Sequence, residues 1–213
     1  MRVIHIIPSA FNYFDAIRAE AFQLVENLDA IGVENDVFTL QYGAQSKTKQ
    51  EQTEIEVQVS SGSSRTYSGQ VSFGEVVGTL ASYDVVHAHA PLFGGAGKII
   101  EWKKANPGVP FLVSYYQPVG ASDLFGFLVR WYTIYYLPRL FKAADIVTCD
   151  SIDELYRKFG RGVVFNPEKL IEADEETKDF FGTDLTYDPN GLELTNRERL
   201  AVKYTMLYNE LTN

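Results

Sequence analysis

The chain has 213 residues, 46% of them hydrophobic and 22% charged, with a formal net charge of −9. That size and balance build one apolar core without disulfide staples, and the single cysteine, Cys149, leaves no intrachain bridge and fits a reducing compartment. The acidic balance excludes a nucleic-acid binder, which needs a basic footprint, and no charge-free apolar run of about 18 residues marks a membrane span.

The opening run MRVIHIIPSAF is too short for a secretion signal and reads as a strand. Residues 2–8 are β-branched and nearly all apolar, the pattern of a strand buried on both faces of a parallel sheet. Residues 15–31 carry Ile17, Ala21, Leu24, Val25 and Leu28 on one helical face, and Gly32 stops that helix. Residues 35–41 give a second strand, so the first 40 residues form a strand–helix–strand unit with a right-handed crossover. Residues 43–53 read as a loop, 54–59 (EIEVQV) as a strand with one wet face, 61–70 as loop and 72–82 as a short helix. DVVHAHAP (84–91) is another buried strand and leads through GGAG into a helix. PFLVSYY (110–116) and DIVTCDS (145–151) are two further strands, with a long aromatic helix over 124–142 between them. The alternation predicts an α/β fold: a single Rossmann-like, doubly wound parallel sheet with helices on both faces.

The end of the chain is a different kind of sequence. From Pro167 onward the net charge is −6, against −3 for residues 1–166. The division expected is therefore a Rossmann-like domain over 1–166 and an acidic helical tail over 167–213 that packs back on it. Within and beside the tail, residues 162–166 read as a short strand, 168–181 as an acidic helix and 183–191 as a linker. Residues 193–211 read as a last helix, with Thr195 and Glu198 spaced as a capping box.

Ligands of open parallel sheets bind beyond the strand C-termini, where the strand order reverses. Here that places the crevice between the loops Pro8–Asp15 and His89–Gly97, with Tyr115–Ser122 close by. Candidate substrate-binding residues are Ser9, Asn12, Tyr13, Gly94, Gly95, Tyr115 and Gln117. Gly94, Gly95 and Gly97 either let a ligand approach backbone N–H groups at a helix start or simply make a tight turn. FGGAGK fails as a P-loop, since Leu92 and Ile99 stand where Gly and Ser/Thr are required, and the first loop has no GxGxxG. His87 and His89, two apart on a strand, face one side; His89, nearer the strand end, is the one expected to reach the crevice. A metal would need more ligands than these two, and no cysteine or acidic cluster supplies them, so no metal site is assigned.

The aromatic helix (LFGFLVRWYTIYYLPRLFK) carries Arg130, Arg139 and Lys142 as its only charges. Pro138 is expected to break or kink it. Its composition fits an ordinary packed helix, a membrane interface or a partner contact, with Phe127, Arg130, Trp131 and Tyr135 as the face concerned.

Taken in order, MRVIHIIPS, VENDVFTL, YDVVHAHAPLFGGAGKI, PFLVSYYQPV and AADIVTCDS resemble the N-terminal half of glycosyltransferase family 4 enzymes, which have the GT-B fold. The resemblance covers about residues 1–155, and NRERLAVKYTMLYNEL resembles the family's closing helix, which crosses back onto the N-terminal domain. It implies metal-independent transfer of a hexose-type sugar from a nucleotide-sugar co-substrate to a glycan or lipid-linked acceptor, with no bound cofactor. It also implies that this half mainly holds the acceptor, and it points to His89 and Tyr116 as catalytic candidates. The departures are specific: the Gly-Gly of the first loop is replaced by Ser9–Ala10–Phe11, Tyr116 stands where the fifth strand usually ends in histidine, and the nucleotide-sugar domain is absent. Tyrosine, with a reference pKa near 10, is poorly matched to general-base work at neutral pH. Three readings follow. One is a transferase whose donor site needs a partner chain or a second copy; another is a non-catalytic glycan-binding or scaffold subunit; the third is a self-sufficient minimal transferase whose acidic tail and last helix close a crevice lined by Tyr13, His89 and Tyr116, which would lack the usual positive neighbours of a diphosphate. The location expected is the cytoplasm, with the inner membrane surface as the alternative.

Overall fold

The structure, a computed structural model, describes residues 1–8, 14–40, 73–116, 124–161, 167–173 and 194–213. The strands predicted over 54–59 and 162–166, the neighbouring loops and the 183–191 linker lie outside them.

Six parallel strands form one sheet in the order β2-β1-β3-β4-β5-β6. They are β1 (Arg2–Pro8), β2 (Glu34–Leu40), β3 (Val85–Ala90), β4 (Phe111–Tyr115), β5 (Ile146–Cys149) and β6 (Leu170–Glu172). The chain steps one way from β1 to β2 and the other way from β3 onward, so the order reverses between β1 and β3. This is the Rossmann-like sheet that the alternation predicts.

Helices cover both faces, which is why the central strands are buried on both sides. On one face lie α1 (Asp15–Ala30) and α6 (Asn196–Thr212). Leu24 and Leu28 of α1 meet Ala201, Tyr204, Leu207 and Tyr208 of α6 over Val3, Val85 and Leu112. The other face carries α2 (Phe73–Thr79), α3 (Ala96–Ala105), α4 (Leu124–Ala143) and α5 (Ile152–Phe159). Their side chains, including Val76, Ile99, Trp102, Leu140, Phe141 and Leu155, pack on Ile4, Ile6, Val86, Ala88, Phe111, Val113 and Val147. Each such aliphatic or aromatic side chain contributes about 1.5–3 kcal/mol by leaving water.

The stripe predicted for α1 is the one it buries: Ile17, Ala21, Leu24, Val25 and Leu28. Gly32, with φ of 87°, takes the left-handed conformation that ends the helix. The N-terminus of α6 has the predicted capping box, with Thr195 Oγ1 accepting from Glu198 N–H and Glu198 accepting from Thr195 N–H.

Two expectations are corrected. Pro138 does not end α4, which is helical through it to Ala143. The carbonyl that loses its amide donor is that of Ile134, on the exposed side of the helix. The acidic helix expected from residue 168 is not helical in its first part: Pro167–Lys169 is a 3-10 turn and Leu170–Glu172 is β6. Pairing with the edge of β5, with Leu170 opposite Val147 and buried, outweighs the local helical pattern.

Candidate functional site

Strand alternation puts a row of polar side chains on the α1/α6 face. His5 on β1 sits opposite His87 on β3, His89 opposite Ser114 on β4, and Ser114 opposite Thr148 on β5. His5, His87 and His89 are all the histidines of the chain, and all are fully buried. A buried polar group without a partner is costly, and here all six ring nitrogens have one. His5 Nε2 meets Asn35 Oδ1 at 3.1 Å and His5 Nδ1 meets His89 Nε2 at 3.0 Å. His89 Nδ1 meets the Tyr116 hydroxyl at 2.8 Å. His87 lies between Tyr208 OH and Ser114 Oγ, both at 2.7 Å. Ser114, Thr148 and Tyr204 close a triangle of hydroxyls at 2.7–2.8 Å.

The direction of one chain of these bonds follows from its end. Asn35 Nδ2 donates to Asp29 Oδ1 and to the Val33 carbonyl, so its amide oxygen faces His5. An amide oxygen only accepts, so His5 carries its proton on Nε2. His5 is neutral, since burial pulls its pKa down to about 4, and its Nδ1 therefore accepts from His89 Nε2–H. His89 is also neutral, because burial and then His5 hold it well below its usual range. Its Nδ1 accepts, and Tyr116 must donate. The Tyr116 hydroxyl thus spends its proton inward and keeps lone pairs for any further partner. Its own ionisation is pushed well above the usual tyrosine range, first by burial and then by Tyr204 and Glu20.

The same cluster is the one group of metal-ligating residues among the described residues, with ligand atoms within 4.8 Å of one another. Its geometry fits a hydrogen-bonded relay. The His87 and His89 rings stack, with centroids 4.2 Å apart and planes at 27°, so their in-plane lone pairs run side by side rather than converging. An ion would also have to break the His5–His89 bond.

The relay opens into a cleft of about 590 Å³ at the C-terminal ends of β4 and β5, between α1 and the start of α6. Glu20, Gln23 and Asn27 line it from α1, Asn196 and Arg197 from α6, and Tyr116 and Asp150 from the strand ends, with Leu24 and Leu200 as apolar wall. Burial, then Asp150, raises the Glu20 carboxyl, while burial, then Glu154, raises Asp150. Both carboxyls remain exposed at the cleft. A second cleft of about 390 Å³ lies on the other side of β5, lined by Tyr115, Cys149, Asp150, Glu154, Arg157 and Lys158 among others. Burial pushes the Cys149 thiol up to about 12, so it is not a nucleophile at neutral pH.

Of the residues picked from sequence, Tyr116 is in the α1/α6 cleft. His89 is not: it is sealed beneath the helices with both nitrogens engaged, which corrects the expectation that it reaches the crevice. Tyr115 points to the opposite sheet face and lines the second cleft, so adjacent tyrosines serve different sides. Gly94, with φ of 75°, makes the turn into α3 and Gly95 is that helix's N-cap; neither lines either of these two clefts. Ser9, Asn12, Tyr13 and Gln117 lie outside the described residues. Sequence reading missed His5, Glu20, Asn27, Asp150 and Arg197. The spacing of Glu20, Gln23 and Asn27 on the edge of the α1 stripe, and Asp150 just past a strand C-terminus, were the available signals.

No protein-family model matches the chain, and no curated protein matches it. A structure of sucrose-phosphate synthase from Thermosynechococcus elongatus aligns over 100% of both chains at 16% identity with a TM-score of 0.49. A likeness that distant carries no argument about function.

Proposed function

We propose that this chain binds a neutral, hydroxyl-rich acceptor in the α1/α6 cleft and acts as the acceptor-side half of a sugar transferase. The observation that carries this reading is the lining of the cleft. Carboxylates, amides and an inward-donating tyrosine are suited to sugar hydroxyls, and Arg197 is outnumbered by Glu20 and Asp150. A nucleotide diphosphate would meet net negative charge there, so the donor site is assigned to a partner chain or a second copy. The family resemblance of the sequence supports the same division.

In this reading the acceptor hydroxyl attacks the anomeric carbon of the donor sugar, and the bond from that carbon to the diphosphate breaks. Asp150 takes the hydroxyl proton, and the nucleoside diphosphate leaves with the bonding electrons. Tyr116 accepts from a neighbouring acceptor hydroxyl and fixes its orientation. Neither step requires a resident cofactor.

The second reading, a glycan-binding or scaffold subunit without turnover, is favoured by the sealed state of His89, which removes the histidine base expected from sequence. Calorimetric titration with neutral oligosaccharides and with nucleotide sugars tests the proposal. Neutral oligosaccharides should bind saturably, and Asp150→Asn or Asn27→Ala should weaken them about tenfold, the worth of one such hydrogen bond. Saturable binding of nucleotide sugars alone, with no oligosaccharide binding, would assign the chain to the donor side instead. Oligosaccharide binding without turnover beside any donor-binding partner would select the scaffold reading.

A further inference from the structure

Among the described residues no helix is long and apolar enough to cross a membrane, yet α4 leaves a large apolar face uncovered. Phe127 is 63% exposed and Trp131 59%, and Leu128, Ile134 and Tyr135 are also exposed. At 100° per residue these five fall in one sector of about 120°. Outside that sector the helix is anchored in the core by Val129, Leu137, Leu140 and Phe141. The exposed aromatics are ordered among themselves, with Trp131 stacked on Tyr135 at 5.9 Å and 13°.

The charges on α4 itself are all of one sign. None of the chain's 28 acidic residues lies on α4, although the protein as a whole is at −9. Arg130 and Arg139 project on the two flanks of the apolar sector, and Lys142 lies near its C-terminal end. Arg139 lies over the Tyr135 ring at 3.7 Å, which keeps its guanidinium at the edge of the aromatic face. On the neighbouring α5, burial and then Arg130 lower the Lys158 ammonium while Glu154 raises it.

We propose that the α4 face docks on an anionic membrane surface, with Phe127 and Trp131 entering the headgroup boundary and Arg130 and Arg139 engaging lipid phosphates. An apolar aromatic sector flanked by arginines, on a helix not apolar enough to span, is the form that interfacial attachment requires. A protein or a second copy of the chain would also cover apolar area, but neither explains why an acidic molecule keeps this helix free of carboxylates. Anionic headgroups do explain it, since each cation near the surface adds to binding.

The test is flotation of the full chain with vesicles of phosphatidylcholine alone and of phosphatidylcholine mixed with phosphatidylglycerol, with tryptophan emission followed in parallel. Trp102 is buried, so a blue shift on binding reports Trp131. Binding should be strong only on the mixed vesicles, should fall in high salt and should be accompanied by that shift. Phe127→Ser and Trp131→Ser should each weaken it about tenfold, and Arg130→Gln about fivefold on the mixed vesicles alone. These positions are exposed, and unchanged circular dichroism confirms the fold of each variant. Equal binding to both vesicle types, or none to either, overturns the proposal. A wild-type dimer in sedimentation that Trp131→Ser converts to monomer overturns it in favour of a second copy.

Discussion

Lowering the pH from 7 to 5 is expected to cost the folded state up to about 6 kcal/mol, because three imidazoles are held neutral in the core. In the unfolded chain each has its ordinary value of 6.5, whereas burial pulls His5 down to about 4 and holds His87 and His89 well below normal. Below pH 6.5 the unfolded state therefore binds more protons than the folded one. Stability is complete above pH 6.5 and is lost progressively as the pH falls toward about 4. Between pH 7 and 5 an imidazole kept neutral accounts for at most about 2 kcal/mol. Glu20 and Asp150 act in the opposite sense, since their raised carboxyls take up protons in the folded state, but only at the acid end of the window. Set against a usual total of about 5–15 kcal/mol, the loss leaves the protein close to unfolding at pH 5. Urea titrations followed by circular dichroism at pH 7, 6 and 5 and constant ionic strength measure it. His89→Gln should reduce the slope with pH by about a third whatever it does to stability at pH 7. A loss below about 2 kcal/mol, one proton's worth, would mean that at least two imidazoles are charged or hydrated in the folded state. The proton order from Asn35 through to Tyr116 would then be wrong.

Lys103 is buried on the α3 side of the sheet and donates to the Pro107 and Val109 carbonyls and to Asp145, which also accepts from Phe111 N–H. Lys103→Met should cost about 3 kcal/mol and lower the melting temperature by roughly 6–12 °C, since it orphans two carbonyls and removes the charge partner of Asp145; a shift under about 2 °C in a thermal melt would show that water replaces those bonds. Thr195→Ala removes the cap of α6 and should cost about 1 kcal/mol by urea titration, with Thr195→Ser restoring most of it.

Much of the fold is legible in the sequence because the relevant signals are local. Apolar runs such as those around Val3 and Val85 can only be strands covered twice, and the Ile17-to-Leu28 stripe has one helical solution. The Thr195–Glu198 box places the start of α6 because both of its bonds lie within one turn. The misses are non-local. Leu170–Glu172 becomes a strand only because β5 has an edge at that height, and nothing near Leu170 reports it. Pro138 stays within α4 because the carbonyl it strands faces outward, which depends on how the helix is seated.

The candidate site shows the same division more sharply. The sequence places His87 and His89 on one face, but His5 lies 82 residues before His87 and joins them only through the β1–β3 register. Once the three converge, their role changes. A strand-end histidine open to solvent could act as a base, whereas His89, covered by α1 and α6 and bonded at both nitrogens, can only fix the hydroxyl of Tyr116. The chemistry therefore moves outward by one residue on the strand and across to carboxylates on other elements. Asp150 can bear charge in the cleft because it is exposed, while the imidazoles behind it are fully buried and cannot. In the proposed function the neutral relay and the acidic cleft divide the work: the buried layer sets the direction of a hydrogen bond, and the carboxyls in front of it are left to move a proton.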